Sequence, residues 1–217
     1  MPPKDKPPGG CPHPPEGHLV PSPSQLFVFS GPSGVGKDTV IARLKEQRLP
    51  LHFAVTMTTR PMRDGEVHGV NYYFVSVAEF QEHERRSALL EWAVVHGNFY
   101  GTPLPQVREA LRGGKDVFLK IDVQGAAKVK QRVPDAVFIF LAPPSIPELV
   151  QRLVNRGTEP PEEQARRLRD AYQEMKFLPA YDYVVVNREG RLEEAVECIK
   201  CIISAEKSKV HPRRIEL

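Results

Sequence analysis

Four short apolar runs punctuate the chain: Leu26-Phe27-Val28-Phe29-Ser30, Val117-Phe118-Leu119-Lys120-Ile121, Ala136 to Leu141, and Tyr183-Val184-Val185-Val186. They alternate with helical patterns, a rhythm that predicts an α/β fold with a central parallel sheet covered by helices. Ser76-Val77-Ala78-Glu79 and Ser145-Ile146-Pro147-Glu148 fit a capping box, and Thr102-Pro103 reads as a capping hydroxyl before a first-turn proline. Residues 52–101 differ, being rich in short strands and aromatics, and are expected to form an insertion carrying a small mixed sheet.

Composition sets the bounds of this fold. Residues 1–24 are crowded with proline and glycine, which cannot bury enough apolar surface to offset the entropy of ordering them, so a disordered tail is expected there. Residues 25–206 should form one domain, and the polar stretch 207–217 a flexible C-terminal tail. With 217 residues, 41% of them hydrophobic, one substantial core is the expectation. The net charge of +3 is scattered among acids, which gives little support for a nucleic-acid partner. No run approaches the roughly 18 apolar residues of a membrane span, so no membrane partner is expected either. Three cysteines, at 11, 198 and 201, argue against a disulfide framework, and Cys198-Ile199-Lys200-Cys201 reads as ordinary helix positions. The tail lacks an apolar core and arginine, so the cytoplasm is the expected location. The pattern fixes no oligomeric state.

The chemistry begins where the first run ends. Gly31-Pro32-Ser33-Gly34-Val35-Gly36-Lys37 stands between a predicted strand and the helical pattern from Asp38. Glycines let consecutive backbone N–H groups point at one anion, the helix N-terminus adds positive potential, and Lys37 neutralises β- and γ-phosphates. These residues are therefore expected to bind ATP in a P-loop NTPase fold. The usual motif continues with Ser or Thr, whose hydroxyl ligates Mg²⁺, whereas this chain has Asp38 and then Thr39. Asp38 is either a Mg²⁺ ligand, directly or through water, or a solvent-facing residue that leaves the work to Thr39. Farther on, Thr56 to Glu66 places Arg60 and Arg63 three apart, followed by Asn71-Tyr72-Tyr73-Phe74. Guanidinium forks match phosphate oxygens, and tyrosine hydroxyls complete such a shell.

Five separated stretches together resemble the guanylate kinase family: GPSGVGK at 31–37, TTRPMRDGEVHGVNYYF at 58–74, LEWAVVHGNFYGT at 90–102, IDVQGA at 121–126, and the region from Arg156 to Arg167. The resemblance runs from about Leu26 to Ala205. It implies ATP-dependent phosphorylation of GMP, and of dGMP, with Mg²⁺ accompanying ATP. Arg60, Arg63, Tyr72 and Tyr100 would hold the GMP phosphate, while Thr56, Glu91 and Thr102 would read the base. Guanine presents an N1–H and an exocyclic amine side by side, so one carboxylate can accept both, whereas adenine would leave it unpaired. The resemblance further implies a mobile lid at about 152–170, in which Arg156 and Arg167 act with Lys37 and Arg63 on the transferring phosphoryl group. It places Asn187 near the adenine, although the adjacent Arg188 departs from the acid expected there.

Asp122, at the end of a predicted strand, resembles the family's acid in a GMP- and Mg²⁺-side segment. Lys120 stands where that family tends to carry a second acid, and Asp38 would restore the lost charge if the two positions face each other. No catalytic His is required, because the acceptor is already an anionic phosphate oxygen; His52, His68 and His96 are expected to be structural or surface residues. The alternatives at this stage are a guanylate-kinase-like protein-interaction module without catalysis, and a small P-loop kinase with another phosphorylated acceptor.

Overall fold

The first apolar run becomes the central strand of a computed structural model that describes residues 22–95, 97–155 and 161–217. In chain order the first half contains β1 (Leu26–Ser30), α1 (Lys37–Glu46), β2 (Leu51–Phe53), β3 (Met57–Thr58), β4 (Tyr73–Phe74), α2 (Val77–Arg85), β5 (Leu89–Val95) and β6 (Asn98–Pro103). The second half contains α3 (Leu104–Arg112), β7 (Asp116–Lys120), α4 (Val123–Arg132), β8 (Val137–Ala142), α5 (Ile146–Asn155), α6 (Pro161–Met175), β9 (Tyr183–Val186) and α7 (Leu192–Lys207).

Five strands pair in the order β2-β7-β1-β8-β9, every neighbouring pair parallel. β1 is buried throughout, and its successive side chains serve opposite faces. Phe27 and Phe29 pack with Val40 and Leu44 of α1 and with Val196 and Ile199 of α7. Leu26 and Val28 pack with Val107 of α3 and Val129 of α4. A strand covered on both faces must be apolar at consecutive positions, which is why the run was visible in the sequence.

The insertion forms a second, mixed sheet in the order β4-β3-β6-β5. Met57 and Leu89 close over Phe80 of α2 in a small core of their own. Its boundary differs from the sequence reading, because β2, with His52 and Phe53, pairs with β7 in the main sheet. Ser76 accepts from the Glu79 backbone, and Glu79 returns the bond to the Ser76 backbone, completing the expected capping box. Ser145 Oγ likewise accepts from the Glu148 backbone. The expected cap at Thr102 does not form: β6 runs on through Pro103, and the Thr102 hydroxyl is taken by Glu91.

Residues 207–217, expected to be a flexible tail, lie against the domain. Arg213 donates to Ala136 O at 2.9 Å and reaches Asp182 at 3.3 Å, while Ile215 and Leu217 pack on the main core. The proline-rich segment 1–21, His96 and residues 156–160 lie outside the described residues. Cys198 and Cys201 occupy ordinary positions on α7. Among the described residues no helix is long and apolar enough to cross a membrane.

Candidate functional site

In a parallel sheet all the C-terminal strand ends meet at one edge, where α/β folds bind ligands. Here that edge gathers the loop after β1, Lys120 and Asp122 after β7, and Asn187 after β9. The small sheet faces the same edge, so one cleft is lined by Ser33, Lys37, Tyr72, Glu91, Lys120 and Asp122, with Asp38, Thr56 and Tyr100 also on its wall. A larger cavity, about 960 Å³, lies instead between α3 and the C-terminal segment. It contains none of these residues.

The loop is shaped from behind. Gly36 caps α1 at φ 97°, a left-handed conformation natural to glycine. A Cβ there would also run into the Asn187 amide, 2.6 Å away. Asn187 is buried, donates to Val35 O at 2.8 Å, and is itself held by Arg152, which donates to Asn187 O at 2.9 Å. The residue expected beside adenine thus braces the loop. Lys37 Nζ folds back onto Gly31 O and Pro32 O, at 2.5 and 3.0 Å. Burial is the main influence on this ammonium and depresses its pKa, against the opposing charges of Glu174 and Asp38. Approaching phosphates would reverse that depression.

On the opposite wall, strand register brings Glu91 and Thr102 face to face. A register shift between Leu89 and Glu91 lets Leu89 enter the small core and Leu90 the main core, leaving Glu91 in the cleft. Thr102 donates to Glu91 Oε1 at 2.7 Å, and both side chains are buried. Burial pushes the Glu91 carboxyl up to about 8, only partly countered by the Thr102 hydroxyl. Gly125, in the first turn of α4, passes so close that a Cβ would overlap Glu91 Oε2.

Arg60 is aimed by Thr58, whose hydroxyl donates to Phe99 O at 3.0 Å and accepts from Arg60 N at 3.2 Å. Its guanidinium donates to Glu66 Oε1 at 2.7 Å and lies 5.6 Å from the Tyr72 ring centroid. Tyr72 and Tyr100 meet edge to face at 6.0 Å. Arg63 is exposed, and its backbone N–H is held by Glu66 Oε2 at 2.8 Å. His68 accepts from Phe74 N at 3.2 Å and so shapes this loop, the structural role expected of it. Asp122 accepts from Gly125 N at 2.8 Å as the N-cap of α4, at the cleft wall. Asp38 and Lys120 do face each other, with Nζ 2.5 Å from Oδ1.

The lid candidates divide. Arg156 lies outside the described residues, as does the side chain of Arg167, whose backbone is in α6. The sequence reading missed Glu174 near the end of α6. Its Oε2 accepts from Ser33 N at 2.7 Å, seating a carboxylate in the phosphate loop. Burial raises its pKa, opposed by the Ser33 N–H and Lys37. It also missed Glu66, which holds Arg60. Glu174 has no local signature, since Ser33 is 141 residues away in the chain; Glu66 acts within its own loop, on Arg60 and on Arg63 N three residues back.

The family model described as guanylate kinase matches residues 23–206. A guanylate kinase of Lactococcus lactis is 51% identical over 185 residues, covering 85% of this chain and 89% of the relative. A rice protein named guanylate kinase 2, chloroplastic/mitochondrial, is 46% identical over 201 residues, covering 92% of this chain and 70% of the relative. The crystal structure of guanylate kinase from Anaplasma phagocytophilum superposes with a TM-score of 0.72 at 34% identity, covering 87% of this chain and 89% of that one.

Proposed function

The chain belongs to the guanylate kinase family and catalyses ATP-dependent phosphorylation of GMP, and from that premise we propose how its cleft does so and which residues take part. ATP sits with its phosphates on Gly31 to Lys37, with Asp38 and Thr39 beyond the lysine and Asn187 keeping the loop in shape on the adenine side. GMP sits under the small sheet, its phosphate held by Arg60, Arg63, Tyr72 and Tyr100, and its base read by Thr56, Glu91 and Thr102. Asp122 borders both ligands.

Magnesium entering with ATP fits the donors present. Asp38 and Asp122 are hard oxygen ligands on the cleft wall, and this ion typically takes one or two carboxylates together with waters and phosphate oxygens. When bound it shields negative charge on the phosphates. The chain's own residues supply the rest: Lys37 leaves its loop carbonyls for the β- and γ-phosphates, and Arg63, Arg156 and Arg167 neutralise charge on the transferring group. GMP's phosphate oxygen is the nucleophile and needs no strong base. Catalysis is then positioning, charge neutralisation and exclusion of water by the lid.

The buried Glu91–Thr102 pair, standing in one cleft with Lys37, carries this reading. A coupled assay with ATP and each of GMP, dGMP, AMP, CMP and UMP tests it. Turnover is expected with GMP and dGMP, and lower by about 10³-fold or more with the others, because a hydrogen-bonding site rejects analogues that leave its groups unpaired. Equal turnover of AMP, or none of GMP, would remove the assignment. On the same reading the enzyme works in purine nucleotide metabolism in the cytoplasm.

A further inference from the structure

The cleft holds a second ammonium besides that of Lys37. Lys120 ends β7, in register with Phe29 of β1, and reaches between the phosphate loop and the small sheet. Its Nζ donates to Asp38 Oδ1 at 2.5 Å and to Tyr72 Oη at 3.1 Å, and lies 5.0 Å from the Tyr72 ring centroid. Arg60 approaches the same ring. Tyr72 therefore has two cations against it, one from the end of β7 and one from the loop after β3, on the wall where an acceptor phosphate would rest.

We propose that Lys120 is a phosphate-binding residue of the acceptor site, donating to the phosphate of the bound nucleoside monophosphate, and that Asp38 is the residue that positions it. The proposal rests on the reading of the cleft as a GMP kinase site. An ammonium has three N–H donors, and Asp38 and Tyr72 engage two of them. Burial works against its charged form, but Tyr72 and Asp38 more than offset this and hold the pKa above its ordinary value. The Asp38 side chain is 84% exposed while that of Lys120 is only 21% exposed. An ion pair so open to water on one side is weak and exchanges readily for a phosphate oxygen. Asp38 also stands electrostatically between the two lysines. It raises the Lys37 pKa where Lys120 lowers it, so the pair lets two cations share one cleft before substrate arrives.

Calorimetric titration with GMP, without ATP or Mg²⁺, distinguishes this role from a merely structural ion pair. Wild type, K120M, K120R, D38N and the K120M/D38N double variant are compared, with thermal melting as the folding control. Lys120→Met is expected to weaken GMP binding by about 10- to 100-fold, the range of a charge-assisted hydrogen bond, while ATP affinity changes by less than about threefold. Lys120→Arg, which keeps the charge, should recover most of the loss and so excludes general damage. Asp38→Asn should weaken GMP binding less, and should add nothing once Lys120 is gone. GMP affinity unchanged in K120M would overturn the proposal. A loss of GMP affinity on Asp38→Asn that is as large in the K120M background as in wild type would overturn its positioning role. A wild-type chain inert toward GMP would bring down the functional reading and this proposal with it, whereas an active wild type with an unaffected K120M brings down the proposal alone.

Discussion

Glu91 shows how much one side chain can set. Burial outweighs the Thr102 hydroxyl and the charge of Lys128 and holds its carboxyl up to about 8, so in the empty cleft near neutrality it is mostly protonated. The folded protein then keeps a proton that the unfolded chain has lost, and the ligand-free protein loses stability as pH rises from about 4.5 to about 8. Guanine read by Glu91, as proposed, would reverse the balance, because its two adjacent N–H donors favour the carboxylate. GMP binding should therefore release a proton, and affinity should rise about fivefold between pH 7 and 8 and level off above that. Titration in two buffers of different ionisation enthalpy measures the proton directly; Glu91→Gln should abolish the slope and weaken GMP. A slope that survives in Glu91→Gln would assign the proton elsewhere. Glu91 was identifiable from the sequence only through its surrounding motif. The acids Glu66 and Glu174 were not, because a lone acid in a polar stretch gives no sign of the backbone N–H from which it will accept.

At the scale of elements, the site depends on how closely α4 approaches β5. Gly125 is the contact point: its missing side chain leaves room for the Glu91 carboxylate, and its N–H caps onto Asp122. Helical φ and ψ are open to alanine, so Gly125→Ala acts through crowding alone. It should displace Glu91, raising KM for GMP by about tenfold or more, the scale of a misplaced charged hydrogen bond, with KM for ATP little changed. Steady-state kinetics with each substrate varied would show it, and an equal rise in both constants would count against the assignment. α6 presents the converse case. Its helical pattern was legible, but that its last turn would send Glu174 to Ser33 N depends on where the helix docks.

For the molecule as a whole, the two edges of the main sheet have different tasks. The C-terminal edge carries the cleft, and the N-terminal edge is tied together by ions. There the fully buried Glu206 accepts from Tyr183 at 2.5 Å and Lys209 at 2.7 Å, with Arg213 3.3 Å away. Lys207 meanwhile bridges Asp116 and Pro23 O, at 2.9 and 3.1 Å. These contacts hold the C-terminal segment that composition alone would leave loose. Burial alone would raise the Glu206 pKa, but Lys209, Tyr183 and Arg213 together bring it below the ordinary value. Its contribution is therefore present above about pH 4.5 and is lost as pH falls through the folded-state pKa. Glu206→Gln should cost about 1–3 kcal/mol, several degrees of Tm at neutral pH for a domain of this size. The deficit should shrink in acid. A deficit that stays constant as pH falls from 7 to well below 4.5 would contradict the clamp.

What the sequence by itself determined is local or periodic. The main strands were visible because parallel strands covered on both faces must be apolar at consecutive positions. The phosphate loop was visible because its glycines, lysine and helix start are contiguous, and the capping boxes because they span four residues. Thr102 marks the limit. Its hydroxyl beside a proline reads as a helix cap, yet β5 pairing brings Glu91 within 2.7 Å and takes the bond instead. Only the tertiary structure decided that contest, the pairing of Asp38 with Lys120 across 82 residues, the bracing of the loop by Asn187, and the docking of the C-terminal segment. Each joins groups far apart in the chain, and the energy of such a contact depends on distance in space, which no local pattern encodes.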